Sequence, residues 1–508
     1  MMALWDGVVA TWGWLMEHLL YINLILSVVI VFFQRRDPKA VWTWLMVLYF
    51  IPIFGFFLYL MLCQDYRKSR MFRVKEVEDR LRYSVESQEE FIAGSREFLS
   101  DPMSRDFEDL VMYNLETSGA VLTVDNTVDI FTDGEEKFED LRNELEKATQ
   151  YIHIQYYIIK NDEVFQSMMP ILVKKAGEGV EVRILYDGMG GRFMPKRIWK
   201  ELEDCGIKVG EFFPAFLGRL QLRMNYRNHR KIVVIDGRIA YVGGFNVGRE
   251  YISKDPKFGY WRDTHLKISG GAVYSLQIRF ALDWNYATKE NLFKDAKYFG
   301  LTDEVEMMSV KPEVMFQPMA CKVGQRPLGV QIITSGPDSS IRQIRDNYLE
   351  LFHKAKRSIY IQTPYFVPDD AVLSALQIAA RAGVDVRLMI PCKPDHPFVY
   401  WATYSYVGDL LEAGARCYTY ENGFLHAKGV MIDSMVCCYG TANMDIRSFE
   451  LNFEVNATIY DEETTKRLEE IFIRDLEKCH EVTEVYYERR SLWIRVKEQC
   501  SRLLSPLL

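Results

Sequence analysis

Two long apolar stretches open the chain. Residues 19–33, LLYINLILSVVIVFF, carry no charge, and the apolar character extends upstream past interruptions at Glu17 and His18. After QRRDPK comes a second charge-free stretch, residues 40–62, with 23 positions. About 20 apolar residues suffice to cross a bilayer as a helix. Trp and Tyr at the borders of the second stretch suit a membrane interface. The pattern predicts a membrane hairpin over 1–63, with segments at about 10–33 and 40–62. A cleaved signal peptide is the rival for the first segment, but it would need a basic start, and a second segment follows at once. Pro52 and Gly55 interrupt the second segment and leave a kink or a re-entrant turn open.

From about residue 120 the pattern changes to short β-branched runs alternating with helical periodicity. VDIFTDG, YIHIQYYII and GVEVRILYD read as strands, and EEKFEDLRNELEKAT as a helix. This is α/β alternation. The order then returns about 200 positions later: ATQYIHIQYYIIKNDE with AKRSIYIQTPYFVPDD, GVEVRILYD with GVDVRLMIP, LEDCGIKV with LEAGARCY. So long a period means a duplicated domain, whose copies are expected to pack about a pseudo-twofold axis. The boundaries read as linker helices over 64–119, a first domain over 120–292, a connector over 293–328, a second domain over 329–485 and a C-terminal amphipathic helix over 486–508.

The duplication gives weight to a motif that would be weak alone. NHRKIVVID carries His229, Lys231 and Asp236, and LHAKGVMID carries His426, Lys428 and Asp433 at the same spacing. Asn246 and Asn443 each follow their histidine by 17 residues, preceded by small residues that include Gly244 and Thr441. Positions two apart on a strand share a face, so each imidazole is expected to project with its lysine. The turns at Gly244 and Thr441 are expected to bring backbone and amide to a ligand. Two such sets across a twofold suit a tetrahedral phosphate, with one nucleophile, one acid, and donors for the developing charge. Each aspartate has a second reading, as a residue that fixes the turn after its strand. A nucleophilic imidazole needs Nδ1–H held and Nε2 free. Asp263 and Glu454, each about 30 residues after its histidine, are the candidate supporting carboxylates, with Glu450 as a rival.

Composition narrows the function. The net charge of −8 speaks against a general nucleic-acid binder. None of the nine cysteines forms a C-x-x-C pair. Reduced core cysteines are therefore expected, with no zinc or disulfide framework. Arg35, Arg36 and Lys39 lie between the apolar segments, and Arg67, Lys68, Arg70, Arg73 and Lys75 follow them. Two full crossings would put these groups on opposite faces. The larger group favours a cytosolic main body, and a re-entrant second segment would place both groups inside.

The paired motifs resemble those of the phospholipase D superfamily. RRDPKAVWTWLMVLYFIPIFGFFLYL, GYWRDTHLKISGGAV, QTPYFVPDD, RSFELNFEVN and the terminal RLLSPLL make the chain similar, over nearly its whole length, to bacterial cardiolipin synthases. It departs from them at the second glycine of ISGGAV, where proline is expected, and at Thr441, where serine is also common. The resemblance implies an α/β fold of two phospholipase D-like lobes, each a mixed sheet flanked by helices, with an N-terminal transmembrane hairpin in the cell membrane. It implies no metal and no other cofactor. It also implies a phosphohistidine intermediate and catalytic roles for His229, Lys231, Asp236, His426, Lys428 and Asp433. The reaction implied joins two phosphatidylglycerols into cardiolipin and releases glycerol. His229 is expected as nucleophile and His426 as acid and base, and symmetry leaves the reverse open. Lys231, Lys428, Asn246 and Asn443 would stabilise the phosphoryl oxygens. A phospholipase D-type hydrolase, another phospholipid donor, a nuclease and a non-catalytic scaffold are the competing readings. The loop at 212–227, with Arg219, Arg223 and Arg227, is expected to meet anionic headgroups or to pack on the second lobe. The C-terminal helix is expected to lie on the membrane or on the protein.

Overall fold

The computed structural model describes residues 2–33, 38–62, 106–214, 226–299, 328–339 and 341–505. Most of the expected linker, the core of the connector, and Arg219 and Arg223 of the basic loop lie outside these residues.

The first lobe contributes β1 (Thr123–Phe131), β2 (Tyr151–Tyr156), β3 (Glu181–Asp187), β4 (Lys208–Phe212), β5 (Arg227–Asn228), β6 (Ile232–Ile235), β7 (Ile239–Gly243), β8 (Trp261–Arg262) and β9 (His265–Ser269). The second contributes β10 (Leu328–Ser335), β11 (Ser358–Gln362), β12 (Phe366–Val367), β13 (Asp385–Pro391), β14 (Arg416–Tyr420), β15 (Phe424–Leu425), β16 (Gly429–Ile432), β17 (Val436–Gly440), β18 (Met444–Asp445), β19 (Asn452–Tyr460) and β20 (Cys479–Val482).

Among the described residues one mixed sheet runs through both lobes in the order β20-β14-β13-β11-β16-β17-β19-β10-β1-β9-β7-β6-β2-β3-β4. The order reads alike outward from its middle. β1-β9-β7-β6-β2-β3-β4 matches β10-β19-β17-β16-β11-β13-β14 element by element, and the antiparallel β1–β10 pair is the seam. The repeats read in sequence are β2 with β11, β3 with β13 and β4 with β14, the parallel part of each lobe. These strands are buried on both faces because helices such as Gly134–Glu146, Glu163–Gly177 and Asp370–Arg381 cover them. Their sequences are accordingly near-continuous apolar runs.

The helix Glu108–Ser118 belongs to the second lobe. Leu110, Val111 and Leu115 join its core, and Asn114 Nδ2 donates to Asn347 Oδ1 at 2.9 Å. This part of the expected linker is therefore a packed element that crosses to the far lobe before the first one begins. The C-terminal helix Leu492–Leu503 packs on Pro397–Leu411, and Arg502 pairs with Asp409 at 2.5 Å.

The N-terminal region is a helix Met2–Phe33 followed by two short helices, Pro38–Phe50 and Pro52–Leu62. The second apolar segment is thus broken, not continuous. It doubles back at Ile51: the Trp44 and Tyr59 rings meet edge to face at 5.5 Å, on opposite sides of the break. Pro52 cannot supply a backbone donor there, and Asn23 Nδ2 instead serves the carbonyls of Leu48 at 3.1 Å and Pro52 at 3.3 Å. A Cβ on Gly55 would lie 2.4 Å from the Val47 carbonyl oxygen, so only glycine permits the fold-back. Among the described residues no helix is long and apolar enough to cross a membrane. The first helix carries Asp6, Glu17 and His18 along its length, and each half of the second segment is short of the required ~20 residues.

A buried pair ties the lobes at the seam. Arg230 is almost wholly buried and bonds Asp283 at 2.7 and 2.8 Å, while its other nitrogens donate to the carbonyls of Glu454 and Ser335, both in the second lobe. Asp283→Ala, which strands the Arg230 charge, should lower stability by about 3–5 kcal/mol. The double change Arg230→Met with Asp283→Leu should recover most of that loss, read as unfolding midpoints of the purified protein.

Candidate active site

Neither His-x-Lys stretch lies within a strand. Each is an extended passage between a two-residue strand that reaches across the seam and a longer strand of its own lobe. β5 pairs in parallel with the start of β19, with Arg227 opposite Asn452 and Asn228 opposite Phe453. The next residues in register are His229 and Glu454. On the other side of the axis β15 pairs in parallel with β8, with Phe424 opposite Trp261 and Leu425 opposite Arg262. The next residues are His426 and Asp263. The backbone repeats the symmetry: His229 N–H donates to Phe453 O at 3.0 Å, and His426 N–H to Arg262 O at 2.7 Å.

The supporting carboxylates are therefore crossed. His229 Nδ1 lies 3.0 Å from each oxygen of Glu454, and His426 Nδ1 lies 2.6 Å from Asp263 Oδ2. Each ring is held by the opposite lobe, not by the carboxylate that follows it in its own copy. Both carboxylates are fully buried. Nδ1–H donating to an acid fixes the tautomer and leaves Nε2 as the free nitrogen. The rival Glu450 pairs with Arg342 at 2.5 Å.

The lysines project with their histidines, as the two-residue spacing predicts. Lys231 Nζ donates to His229 O at 2.6 Å and Lys428 Nζ to His426 O at 2.5 Å. An aromatic ring flanks each imidazole, Tyr157 at 5.2 Å from His229 and Trp261 at 5.0 Å from His426. The two halves share one electrostatic site, since Lys428 acts on His229 and Lys231 acts on His426. Burial is the main cause in each case. It depresses His229, pushes His426 down to about 4 and holds Lys428 at about 8, while Lys231 falls well below the usual lysine range. Burial alone would raise Glu454 and Asp263. His229 and Lys231 for the first, and Lys428 and His426 for the second, more than offset it, so both stay below the usual carboxylate range.

Several expected site residues have other work. Asp236 accepts from the backbone N–H groups of Thr149, Gln150 and Tyr151 at 2.7–2.9 Å. Asp433 does the same for Lys356, Arg357 and Ser358 at 2.7–2.8 Å. Both sit at positive φ, 52° and 55°, in the turn at the far end of the motif strand. They join the motif strand to its neighbour at the end opposite the imidazoles, with their carboxylates occupied by backbone N–H groups. Asn246 spends its amide on Ile158 N–H at 3.1 Å and Tyr251 Oη at 2.9 Å. Asn443 differs, because its Oδ1 is buried with no hydrogen-bond partner among the described residues. Thr441 donates to Glu454 Oε2 at 2.5 Å and accepts from Val455 N–H at 2.9 Å, so its hydroxyl holds the carboxylate and does not face a ligand. Gly244 offers space, not a ligand contact: a Cβ there would lie 1.9 Å from Asp263 Oδ1.

Sequence reading misses Tyr157 and Arg447, and takes Arg227 only as the end of a basic loop for anionic headgroups. Arg227 and Arg447 both act on Tyr157, whose ring flanks His229, and Arg227 also acts on Arg447. Arg227 precedes His229 by two positions, so strand alternation alone could have placed it on the same face.

Comparison with known proteins now has a geometry to explain. The family model described as "Cardiolipin synthase, PLD-like domain" matches residues 141–256 and 348–476, one match per lobe. The N-terminal model of the phospholipase D-nuclease type matches 22–62. The major cardiolipin synthase of Bacillus subtilis is 46% identical over 493 residues, covering 96% of this chain and 97% of its own. This chain belongs to the bacterial cardiolipin synthases of the phospholipase D superfamily. A Staphylococcus aureus cardiolipin synthase is 48% identical over 489 residues, covering 96% of this chain and 95% of its own. A phosphatidylserine synthase from Haemophilus influenzae superposes with a TM-score of 0.59 at 13% identity, over 80% of this chain and 100% of its own, a likeness of fold.

Two predictions follow for this synthase family site. Glu454→Gln and Asp263→Asn each free an Nδ1, and each should cut activity by about 10²–10⁴-fold, by analogy with loss of the tautomer-fixing carboxylate elsewhere. Asp236→Ala should leave the histidine pairs intact and lower the unfolding midpoint instead. The pH dependence has a definite sign. A histidine whose folded pKa lies below its unfolded value destabilises the fold as pH falls through the interval between them. For His426 that interval runs from the usual ~6.5 down to about 4. His426→Gln should therefore lose less stability than the parent between pH 7 and pH 4, measured by thermal melts across that range.

Proposed function

We propose that the crossed site transfers a phosphatidyl group from one phosphatidylglycerol to another, forming cardiolipin and glycerol through a phosphohistidine. One observation carries the reading: two imidazoles from different lobes, each with Nδ1 on a buried carboxylate, share one field of two lysines. A phosphodiester between them meets a nucleophile on one side and an acid on the other.

His229 Nε2 attacks phosphorus, and the bond from phosphorus to the glycerol oxygen breaks. His426 gives its proton to that oxygen, and glycerol leaves. His426 then takes the proton of a primary hydroxyl on the second phosphatidylglycerol. That oxygen attacks the phosphohistidine, the phosphorus–nitrogen bond breaks, and His229 is regenerated. In the substrate-free site burial and Lys428 keep His426 neutral, so the acid form arrives with the anionic substrate, which offsets the ammoniums. Lys231, Lys428 and the Asn443 amide stabilise the phosphoryl oxygens. Arg227 and Arg447 beside Tyr157 add positive charge on the His229 side, which suits a reaction that brings two phosphodiesters together. No metal or other cofactor takes part in these steps.

Transfer in place of hydrolysis requires that a lipid hydroxyl outcompete water. The placement of the body at a lipid surface serves that end. The N-terminal helices hold the enzyme in the cell membrane, with the second segment re-entrant. A re-entrant second segment is the arrangement that would satisfy the positive-inside tendency of the two basic groups read in the sequence, with a cytosolic catalytic body.

Incubation with phosphatidylglycerol vesicles should yield cardiolipin and glycerol in equal amounts, and phosphatidic acid without cardiolipin would sink the transfer reading in favour of a hydrolase. With phosphate-labelled lipid, acid-labile label should accumulate on the protein in His426→Ala and be absent in His229→Ala. The reverse pattern would exchange the two roles.

A further inference from the structure

The C-terminal helix Leu492–Leu503 is inside out. Its buried positions are polar: Glu498 is 0% exposed and Ser501 2%. Glu498 pairs with Arg490 at 2.9 Å. Its outward positions include four large apolar side chains, with Leu492 at 77%, Trp493 at 74%, Val496 at 41% and Leu503 at 65% exposure, beside exposed Arg495, Lys497 and Gln499. Residues 492, 496 and 503 share one helical face, and 493 lies beside 496. A surface helix facing water shows the opposite arrangement. The Arg490 pair compensates the buried Glu498, while a tryptophan and two leucines exposed on one helix gain free energy where that face meets an apolar phase.

The surroundings identify that phase. Between residues 489 and 505 the only acid is Glu498, which is buried, and Arg489, Arg495 and Lys497 are exposed. Tryptophan with flanking basic residues on a short amphipathic helix matches the headgroup region of an anionic bilayer. A protein interface of this area would exclude such uncompensated charge from its core. The position relative to the site agrees. Lys497 Nζ lies 5.2 Å from the Trp401 ring centroid. Trp401 is in the first turns of the helix Pro397–Leu411, where Phe398 is 60% exposed. That helix starts directly after Asp395, whose carboxylate accepts from Tyr365 Oη and acts on Lys428. The C-terminal helix thus touches the helix Pro397–Leu411, whose N-terminal end follows a residue that acts on Lys428.

We infer that Leu492, Trp493, Val496 and Leu503, together with Phe398, form an interfacial docking face that seats the catalytic body on the surface of the anionic bilayer from which it draws its substrate. The face is separate from the N-terminal helices, and its task is orientation: it turns the mouth of the site toward lipid. This inference rests on the lipid-substrate reading above, and its test separates the two.

The first measurement is tryptophan quenching with the full chain in vesicles of phosphatidylglycerol and phosphatidylcholine carrying brominated acyl chains. The parent should show a quenched component that Trp493→Phe lacks, the N-terminal tryptophans contributing equally to both. The second compares activities of Leu492→Glu/Trp493→Glu/Val496→Glu with the parent. Removing three apolar side chains from a lipid interface should reduce cardiolipin formation on vesicles by at least about 10-fold. Activity on phosphatidylglycerol dispersed in detergent micelles should stay within about twofold. Equal quenching in the parent and Trp493→Phe overturns the inference whatever the activities show. So does conversion of a dimer to a monomer by the triple change without a quenching difference, which would assign the face to a second copy of the chain. Failure of the parent to make cardiolipin from either substrate form would remove the transfer reading and leave the quenching result to decide the docking face.

Discussion

The hydrogen bond from each imidazole to a carboxylate of the opposite lobe is the constraint on which the structure depends. It follows from backbone register: β5 lies on the start of β19 and β15 on β8, so His229 comes opposite Glu454 and His426 opposite Asp263. Neither lobe can complete its own histidine. A buried carboxylate without its proton donor, or a buried lysine without the carboxylate field, would be costly. Assembly of the two halves and assembly of the site are therefore one event, and Arg230, reaching from one lobe to carbonyls of the other, helps lock it.

The pseudo-twofold is kept where geometry demands it and broken where chemistry differs. Both lobes use a turn aspartate at positive φ to fasten the motif strand to its neighbour. Behind the rings the copies diverge. The shorter Asp263 fits against Gly244, where any side chain would collide with it, whereas the longer Glu454 is gripped by the Thr441 hydroxyl. Asn246 is consumed by the fold, and Asn443 keeps a buried oxygen with no hydrogen-bond partner among the described residues. These differences make the surroundings of the two histidines chemically unequal although their motifs are alike.

The apolar features outside the site also follow from local chemistry. The second apolar segment cannot run straight, because Pro52 breaks its hydrogen-bond ladder and Gly55 lets the halves close up. At the other end of the chain an inverted helix offers Leu, Trp and Val to the outside while a glutamate is buried beneath. Both arrangements are unfavourable in water and natural beside hydrocarbon.

The sequence by itself determined the duplication, the alternation of strands and helices in each copy, the two histidine–lysine pairs and a short set of candidate carboxylates behind them, Asp263 and Glu454 with Glu450 as rival. These are local or periodic properties: alternation, a repeated spacing, a charge inside an apolar run. It could not determine that the carboxylates are exchanged between lobes, because each acid is nearer in sequence to its own histidine and only the inter-lobe strand register assigns the partner. Nor could it sort Asp236 and Asp433 from the catalytic groups. The motif spacing places them beyond the strand, but only the fold shows three backbone N–H groups converging on each. The broken second segment was marked by Pro52 and Gly55, yet whether it kinks or doubles back depended on Trp44 meeting Tyr59. Contacts between residues far apart in the chain are decided by packing in three dimensions, and that is the part of this protein that only the tertiary structure supplied.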